Sequence, residues 1–355
     1  MTSSSVSEGD LLWQPSDAVR NGSNIARYLA FLEREKARRC SDYESLWRWS
    51  VDDLEGFWAS IVEYFDVTFR APCERVLLER KMPGARWFPG ARLNYAEHAL
   101  RHSGDDLAVI SLAEDGARSE LSFSGLRDRV ARARAGLRRL GVGVGDRVAA
   151  CVSNDADALV CFLATASLGA IWSSAAPEFG VKSVLDRFAQ IEPKVLIAVD
   201  GYHYGGKVFD RREAVRAVVA GLLSVEKTVV LTRLGGSAEG LPNSLGFDEL
   251  TSEPGELAFE AVPFDHPLWV LYSSGTTGPP KAIVQGHGGI LLEHFKALAL
   301  HCDLGPGDRF FWFSTTGWMM WNFLVSGLLL KTTLVLYDGS PAYPDLLHLF
   351  RLAES

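Results

Sequence analysis

The chain has 355 residues, 47% of them hydrophobic and 23% charged, so it is long enough for two or three packed units and too apolar for a disordered polymer. Its 36 basic and 44 acidic residues leave a formal charge of −8, which excludes general attraction to nucleic acid; any anionic ligand must be held locally. Five scattered cysteines, Cys40, Cys73, Cys151, Cys161 and Cys302, lack C-x-x-C spacing and predict reduced thiols in a cytosolic setting.

The first ten residues show no basic cluster ahead of an apolar stretch, so neither a secretory signal nor a transit peptide is expected. The longest apolar run, 158–172, is interrupted by Thr165, Ser167 and Gly169; it is too short for a bilayer and predicts a buried helix rather than membrane insertion. Residues 1–100 are rich in aromatics, among them Trp13, Trp47, Trp49, Phe57, Trp58, Phe65, Phe69, Trp87 and Phe88. Apolar side chains at helical spacing predict helices over 24–39 and 52–65, the second with Leu54, Phe57, Trp58, Ile61, Val62 and Phe65 inward and Asp52 or Asp53 as its cap. Aromatic residues at that spacing predict core rather than a binding surface, so the region reads as a helical cap.

From Leu107 the pattern becomes strands alternating with helices. Strands are predicted over 108–112, 147–152, 195–199 and 229–232, and helices over 123–140, 155–168 and 181–190. Gly141 stands just past the first of these helices. A turn is predicted over 170–180, and a polar, Gly-rich connection runs to about residue 262. The six arginines between Arg127 and Arg139 read as a solvated helix face. This alternation predicts an α/β fold of mostly parallel sheets flanked by helices, preceded by the helical cap.

The apolar run Leu268-Trp269-Val270-Leu271 predicts a buried strand and ends in Tyr272-Ser273-Ser274-Gly275-Thr276-Thr277-Gly278-Pro279-Pro280-Lys281. Small residues let backbone N–H groups approach an anion, hydroxyls add donors and Lys281 adds a fixed charge, a combination suited to a polyphosphate. The G-x-x-x-x-G-K-[ST] pattern is not met, since Gly275 and Gly278 are three apart and Ala282 follows Lys281. A helix is predicted over 290–300 and a strand over 309–313. Next comes Ser314-Thr-Thr-Gly-Trp-Met-Met-Trp-Asn-Phe323, at a strand end where open α/β sheets place ligand crevices. Its tryptophans and methionines suit core packing as well as a pocket. A strand over 332–337 then leads to Asp338-Gly-Ser-Pro341. His287, His294 and His301 recur every seven residues, but no matching carboxylates accompany them and no metal site is expected.

The segment from Ser273 to Lys281 resembles the phosphate signature of the acyl-adenylate-forming superfamily. Together with 169–174 (Gly-Ala-Ile-Trp-Ser-Ser), 315–322 (Thr-Thr-Gly-Trp-Met-Met-Trp-Asn) and 336–341 (Leu-Tyr-Asp-Gly-Ser-Pro), it is similar to the acetoacetyl-CoA synthetase family. Trp87-Phe88-Pro89-Gly90-Ala91-Arg92-Leu93-Asn94-Tyr95-Ala96-Glu97 resembles the entry segment of the acetyl- and acetoacetyl-CoA synthetase branch. The resemblance implies a helical cap over 1–100 and an AMP-binding domain over 101–355. It also implies ligation of acetoacetate to coenzyme A through an acetoacetyl-adenylate, with ATP, Mg²⁺ and coenzyme A as co-substrates; acetyl- or propionyl-CoA synthesis is the alternative in the same chemistry.

On the same resemblance Ser273, Ser274, Gly275, Thr276, Thr277, Gly278 and Lys281 hold the ATP phosphates. Trp318, Met319 and Met320 line the acyl pocket, while Tyr204 and Lys207 stand near the nucleotide of coenzyme A, Lys207 being equally readable as a solvated loop lysine. The family commonly has a histidine four residues past the lysine, where this chain has Gln285, which carries no charge. Family members continue for roughly as many residues again, through the adenine, ribose and C-terminal lysine segments. The resemblance therefore implies an N-terminal portion, with no catalytic residue assignable and no ligase activity by itself; a non-catalytic nucleotide-binding or interaction fragment is the reading from another class. An incomplete sheet further predicts exposed apolar surface around 325–336 and 346–352.

Overall fold

The computed structural model describes residues 6–236, 240, 241, 243–273 and 278–354. The chain opens with helices α1 (Asp17–Gly22), α2 (Asn24–Lys36), α3 (Tyr43–Asp52) and α4 (Leu54–Tyr64). Asp53 separates the last two and caps α4, its carboxylate accepting the Gly56 N–H at 3.0 Å. Tyr28, Trp49, Phe57, Ile61 and Phe65 are buried, and the Phe65 ring stacks on Phe295 at 4.8 Å, so the cap shares its core with later segments. Trp13 and Trp47 are exposed instead. Trp47 lies on the outer face of α3, where helical spacing carries it away from buried Leu46 and Trp49.

A hairpin of β1 (Leu77–Glu79) and β2 (Arg86–Trp87), then β3 (Arg92–Leu93) and α5 (Tyr95–Ala99), lead into the α/β region. There follow β4 (Leu107–Ala113), β5 (Arg118–Ser122), α6 (Phe123–Arg139), β6 (Arg147–Cys151), α7 (Ala156–Ser167), β7 (Ile171–Ala175), α8 (Val181–Phe188) and β8 (Val195–Val199). Next are a hairpin of β9 (Gly201–Tyr204) and β10 (Lys207–Asp210), then α9 (Arg212–Gly221), β11 (Lys227–Leu231), β12 (Ser244–Gly246), α10 (Phe247–Leu250), β13 (Val262–Pro263), β14 (Pro267–Ser273) and β15 (Lys281–Gly286). The described chain closes with α11 (His287–Phe295), a π-helical turn Lys296–His301, β16 (Arg309–Phe311), α12 (Met319–Val325), a 3₁₀ turn Ser326–Leu330, β17 (Thr333–Asp338) and α13 (His348–Glu354).

A seven-stranded sheet runs β12–β11–β8–β6–β7–β14–β15, parallel throughout except between β14 and β15. A four-stranded sheet runs β16–β17–β4–β5, antiparallel only between β4 and β5. Mostly parallel sheets with helices on them are what the sequence predicts. Helix α7 touches β7 of the large sheet and β4 of the small one, and Ala158 to Ser167 are all buried. A helix apolar all round belongs between layers, which explains the run that is too short to span a membrane. Among the described residues no helix is long and apolar enough to cross a membrane.

The structure corrects three expectations. Residues 171–175, predicted as part of a turn, form β7 in the interior of the large sheet. Buried Ser173 and Ser174 are tolerated there because their hydroxyls donate to the Val270 carbonyl at 2.8 Å and the Thr316 carbonyl at 2.7 Å. The connection before residue 262 holds β12 and α10, whose Phe247 and Leu250 are buried. Apolar residues over 325–336 are covered, Leu328, Leu329, Leu334 and Leu336 being fully buried in the main core, with β17 in the interior of the small sheet; Leu346, Leu347 and Phe350 are exposed as expected.

Candidate nucleotide and acyl site

Strand β14 carries buried Leu268, Trp269 and Val270 to the C-terminal edge of the large sheet, and β15 returns antiparallel beside it with Lys281 opposite Ser273. Lys281 thus begins a strand and not a helix, a second departure from a Walker-type loop. Ser274, Gly275, Thr276 and Thr277 lie outside the described residues. Both flanks are fastened to the α8 region: Tyr272 Oη donates to the Arg187 carbonyl at 2.7 Å, and Gln190 Nε2 to the Pro280 carbonyl at 2.9 Å. Gly278 adopts φ +91°, a left-handed conformation that favours glycine. Lys281 is exposed and has no ion-pair partner among the described residues, so its charge is free for an anion.

The segment 314–317 crosses the ends of β6 and β7. Thr316 Oγ1 lies 2.7 Å from the Val152 carbonyl oxygen and 3.2 Å from that of Ala175. A Cβ on Gly317 would come within 3.1 Å of Ala176 N and of the Phe179 ring, a tight approach that a larger residue makes only if those neighbours give by a few tenths of an ångström. Trp318 follows immediately and is 62% exposed; Met319 is 53% exposed and Met320 half-buried. Neither Trp318 nor Met319 is core. Trp321 is, its Nε1 donating to Asn154 Oδ1 at 3.0 Å, with its ring stacked on Trp172. Because β7 and β14 are adjacent and parallel, the residues over the end of β7 and Ser273 at the end of β14 share one edge of the sheet, about 5 Å apart strand to strand. This is the crevice position of open α/β sheets.

Beside it opens a small cleft whose walls include Tyr204, Phe313, Thr315, Tyr337 and Asp338. Tyr204 faces Lys207 across the β9–β10 turn, in which Gly205 (φ +61°) and Gly206 (φ +75°) meet the two positive φ values of a type I′ hairpin. Tyr204 is 48% exposed and Lys207 is exposed. Burial pushes the Asp338 carboxyl up to about 7, and the charge of Asp155 adds to the effect. The sequence reading assigned no role to Asp338, Asn154 or Glu114. Asp338 carried a signal, a polar residue directly at the end of an apolar strand; Asn154, in the Ser153-Asn154-Asp155 run, and Glu114, before Asp115-Gly116, read as ordinary turn composition.

Two of the three histidines at sevenfold spacing, His287 and His294, are structural. His287 is fully buried, its Nδ1 accepts the Tyr95 N–H at 3.1 Å, and burial pushes its pKa down to about 3; His294 is pushed down to about 4 and meets Ser326 Oγ at 2.6 Å. Gln285 Oε1 accepts the Trp269 indole N–H at 2.5 Å. Among the described residues no group of three or more His, Cys, Asp or Glu stands ready to hold a metal ion.

A family comparison matches residues 96–354 to the AMP-binding enzyme family and residues 43–99 to the acetyl-coenzyme A synthetase N-terminus. The chain belongs to the AMP-binding enzyme family. It is similar to the acetoacetyl-coenzyme A synthetase of Rhizobium meliloti, 43% identical over 339 residues, covering 94% of this chain and 52% of the relative. The acetoacetyl-CoA synthetase of Danio rerio is 39% identical over 358 residues, covering 97% of this chain and 53% of the relative. The solved structure of acetoacetyl-CoA synthetase from Streptomyces lividans superposes with a TM-score of 0.94 at 52% identity, covering 97% of this chain and 53% of that one. The chain thus spans about half the length of the curated relatives it matches.

Proposed function

We propose that this chain supplies the phosphate-gripping and acyl-sorting part of an acetoacetate–CoA ligase. The carboxylate of acetoacetate attacks the α-phosphorus of ATP and expels pyrophosphate; the sulfur of coenzyme A then attacks the acyl carbon of acetoacetyl-adenylate and expels AMP. The observation that carries the reading is the placement of exposed Trp318 and Met319 one strand away from Ser273, at the end of β14. Within that reading Ser273, Gly278 and Lys281, with Ser274, Gly275, Thr276 and Thr277, receive the phosphates, and Trp318, Met319 and Met320 receive the acyl chain. Bringing a carboxylate to a polyphosphate joins two anions, so neutralisation dominates the first step. Lys281 contributes one charge and Mg²⁺ arrives on the phosphates, where it needs few protein ligands.

An apolar wall sorts acids by size at only about 1–3 kcal/mol per methylene, enough to favour acetoacetate over acetate or propionate by one or two orders of magnitude. Tyr204 and Lys207 take the nucleotide end of coenzyme A at the adjoining cleft. The same reading divides the chain into a cap over 1–100 and an AMP-binding part over 101–355, and places the reaction in the cytoplasm, in keeping with five cysteines that are all free thiols. The test is ligand-observed NMR on the purified chain with Mg²⁺–ATP present. Saturation transfer to the acetoacetate methyl group, lost in Trp318→Ala and much weaker for acetate and propionate, is the expected result. Equal transfer to all three acids, or no ATP binding by calorimetry, overturns the proposal.

A further inference from the structure

The β9–β10 hairpin is a two-stranded ribbon outside both larger sheets. Four residue pairs, Gly201 with Asp210 through Tyr204 with Lys207, hold it together, and such an isolated ribbon is only marginally stable in water. What fixes its tip is a side chain from elsewhere. Glu114, directly after β4, accepts the Gly205 N–H on Oε2 at 2.8 Å and the Gly206 N–H on Oε1 at 2.6 Å. The Ser340 N–H, from the turn after β17, also donates to Oε2, at 2.7 Å. The Glu114 N–H donates to the Asp338 carbonyl at 2.9 Å, so the residue is itself held by β17. Packing closes the remaining space: a Cβ on Gly206 would lie 2.7 Å from the Tyr343 ring, and one on Gly339 would lie 2.6 Å from Glu114 Cβ.

We propose that Glu114 is a positioning residue for the coenzyme A end of the site: its carboxylate sets the attitude of the hairpin tip, and so of Tyr204 and Lys207, toward a phosphorylated nucleotide. This rests on the reading that the hairpin receives coenzyme A. A carboxylate beside an anion site is ordinarily a liability. Here three backbone donors from two segments disperse its charge, and Lys207 has no ion-pair partner among the described residues, so the lysine is free to meet a phosphate. Burial pushes the Glu114 pKa up, but the N–H groups of Gly206, Ser340 and Gly205 and the nearby His203 outweigh it and hold the carboxyl below its ordinary value. The clamp is therefore ionised at neutral pH.

The experiment compares the wild-type chain with Glu114→Gln, in which an amide NH₂ faces at least one backbone N–H, and with Gly206→Ala, which displaces the tip without touching the carboxyl. Coenzyme A and Mg²⁺–ATP binding are measured by calorimetry, and amide exchange at Gly205, Gly206 and Ser340 by NMR. Expected are exchange at least 10-fold faster at those three amides in Glu114→Gln and coenzyme A binding about 10-fold weaker or more in both variants, with ATP binding within about twofold. Unchanged coenzyme A affinity in Glu114→Gln, or a parallel loss of ATP and coenzyme A binding, overturns the positioning role while leaving the assignment of the hairpin intact. Failure of the wild-type chain to bind coenzyme A overturns the assignment itself and this inference with it.

Discussion

Lys281 and Asn154 show how differently single residues serve this site. Lys281 is exposed and unpaired among the described residues, so removing it costs the fold nothing that a neighbour must absorb. Lys281→Ala is expected to weaken Mg²⁺–ATP binding about 10-fold or more, the scale of one charge-assisted contact, with an unchanged thermal midpoint; calorimetry and a melting curve check both halves. Asn154 is the reverse case. Its amide Nδ2 donates to the Ser314 carbonyl at 3.2 Å, with the Tyr337 carbonyl at 3.4 Å, while its Oδ1 accepts from Trp321. Asn154→Ala leaves the buried indole N–H of Trp321 without an acceptor, a loss of about 2–4 kcal/mol of folding stability in urea titrations. Combined with Trp321→Phe, which removes the orphaned donor, the two losses should sum to about 1–2 kcal/mol more than the double variant shows. Simple additivity would mean that the hydrogen bond contributes nothing.

At the scale of elements, Gly317 decides how the acyl segment meets the sheet. A methyl group there meets backbone at Ala176 and the ring of Phe179, and the backbone cannot swing aside as a flexible side chain would. Gly317→Ala is expected to push Trp318 and the start of α12 off the end of β7 and to cut acetoacetate binding about 10-fold with ATP binding preserved; saturation transfer on the two ligands separates these outcomes. Most elements around this point were legible because apolar patterning is a local property: β6, β8, β14, β17 and α7 are apolar runs, and α6 has the helical spacing that its partners require. Strand β7 was not, since Ser173 and Ser174 look like turn residues until β14 and the 314–317 segment supply acceptors for their hydroxyls. Glu114 was hidden for the same reason. Its three partners are 91, 92 and 226 residues away, and nothing in its own neighbourhood records them.

For the whole molecule the buried titratable groups set opposing pH dependences that can be taken apart. His287 and His294 have folded pKa values of about 3 and 4 against an ordinary 6.5, so only the unfolded chain binds these two protons in the window between pH 4 and 6.5. Their contribution is fully present above 6.5 and is lost as pH falls through that window. Asp338 has the other sign. Its folded pKa of about 7 against 3.8 unfolded means that the folded chain alone holds this proton between pH 4 and 7, and stability falls as pH rises there. Near pH 5 the two histidines add a slope of about +2.7 kcal/mol per pH unit and Asp338 subtracts about 1.4, since one proton of difference is worth about 1.4 kcal/mol per unit. Asp338→Asn keeps a hydrogen-bonding amide at the end of β17 and abolishes the opposing titration. Between pH 4.5 and 6 its unfolding free energy should rise with pH more steeply than that of the wild type by about 1.4 kcal/mol per unit. Groups that do not interact with Asp338 cancel in the difference of the two slopes, so urea titrations at three pH values read the titration of Asp338 together with that of neighbouring Asp155. Parallel slopes would show that Asp338 is ionised in the folded chain and that the cleft beside Tyr204 carries its full negative charge at neutral pH, where a pKa of about 7 leaves the carboxyl half-ionised.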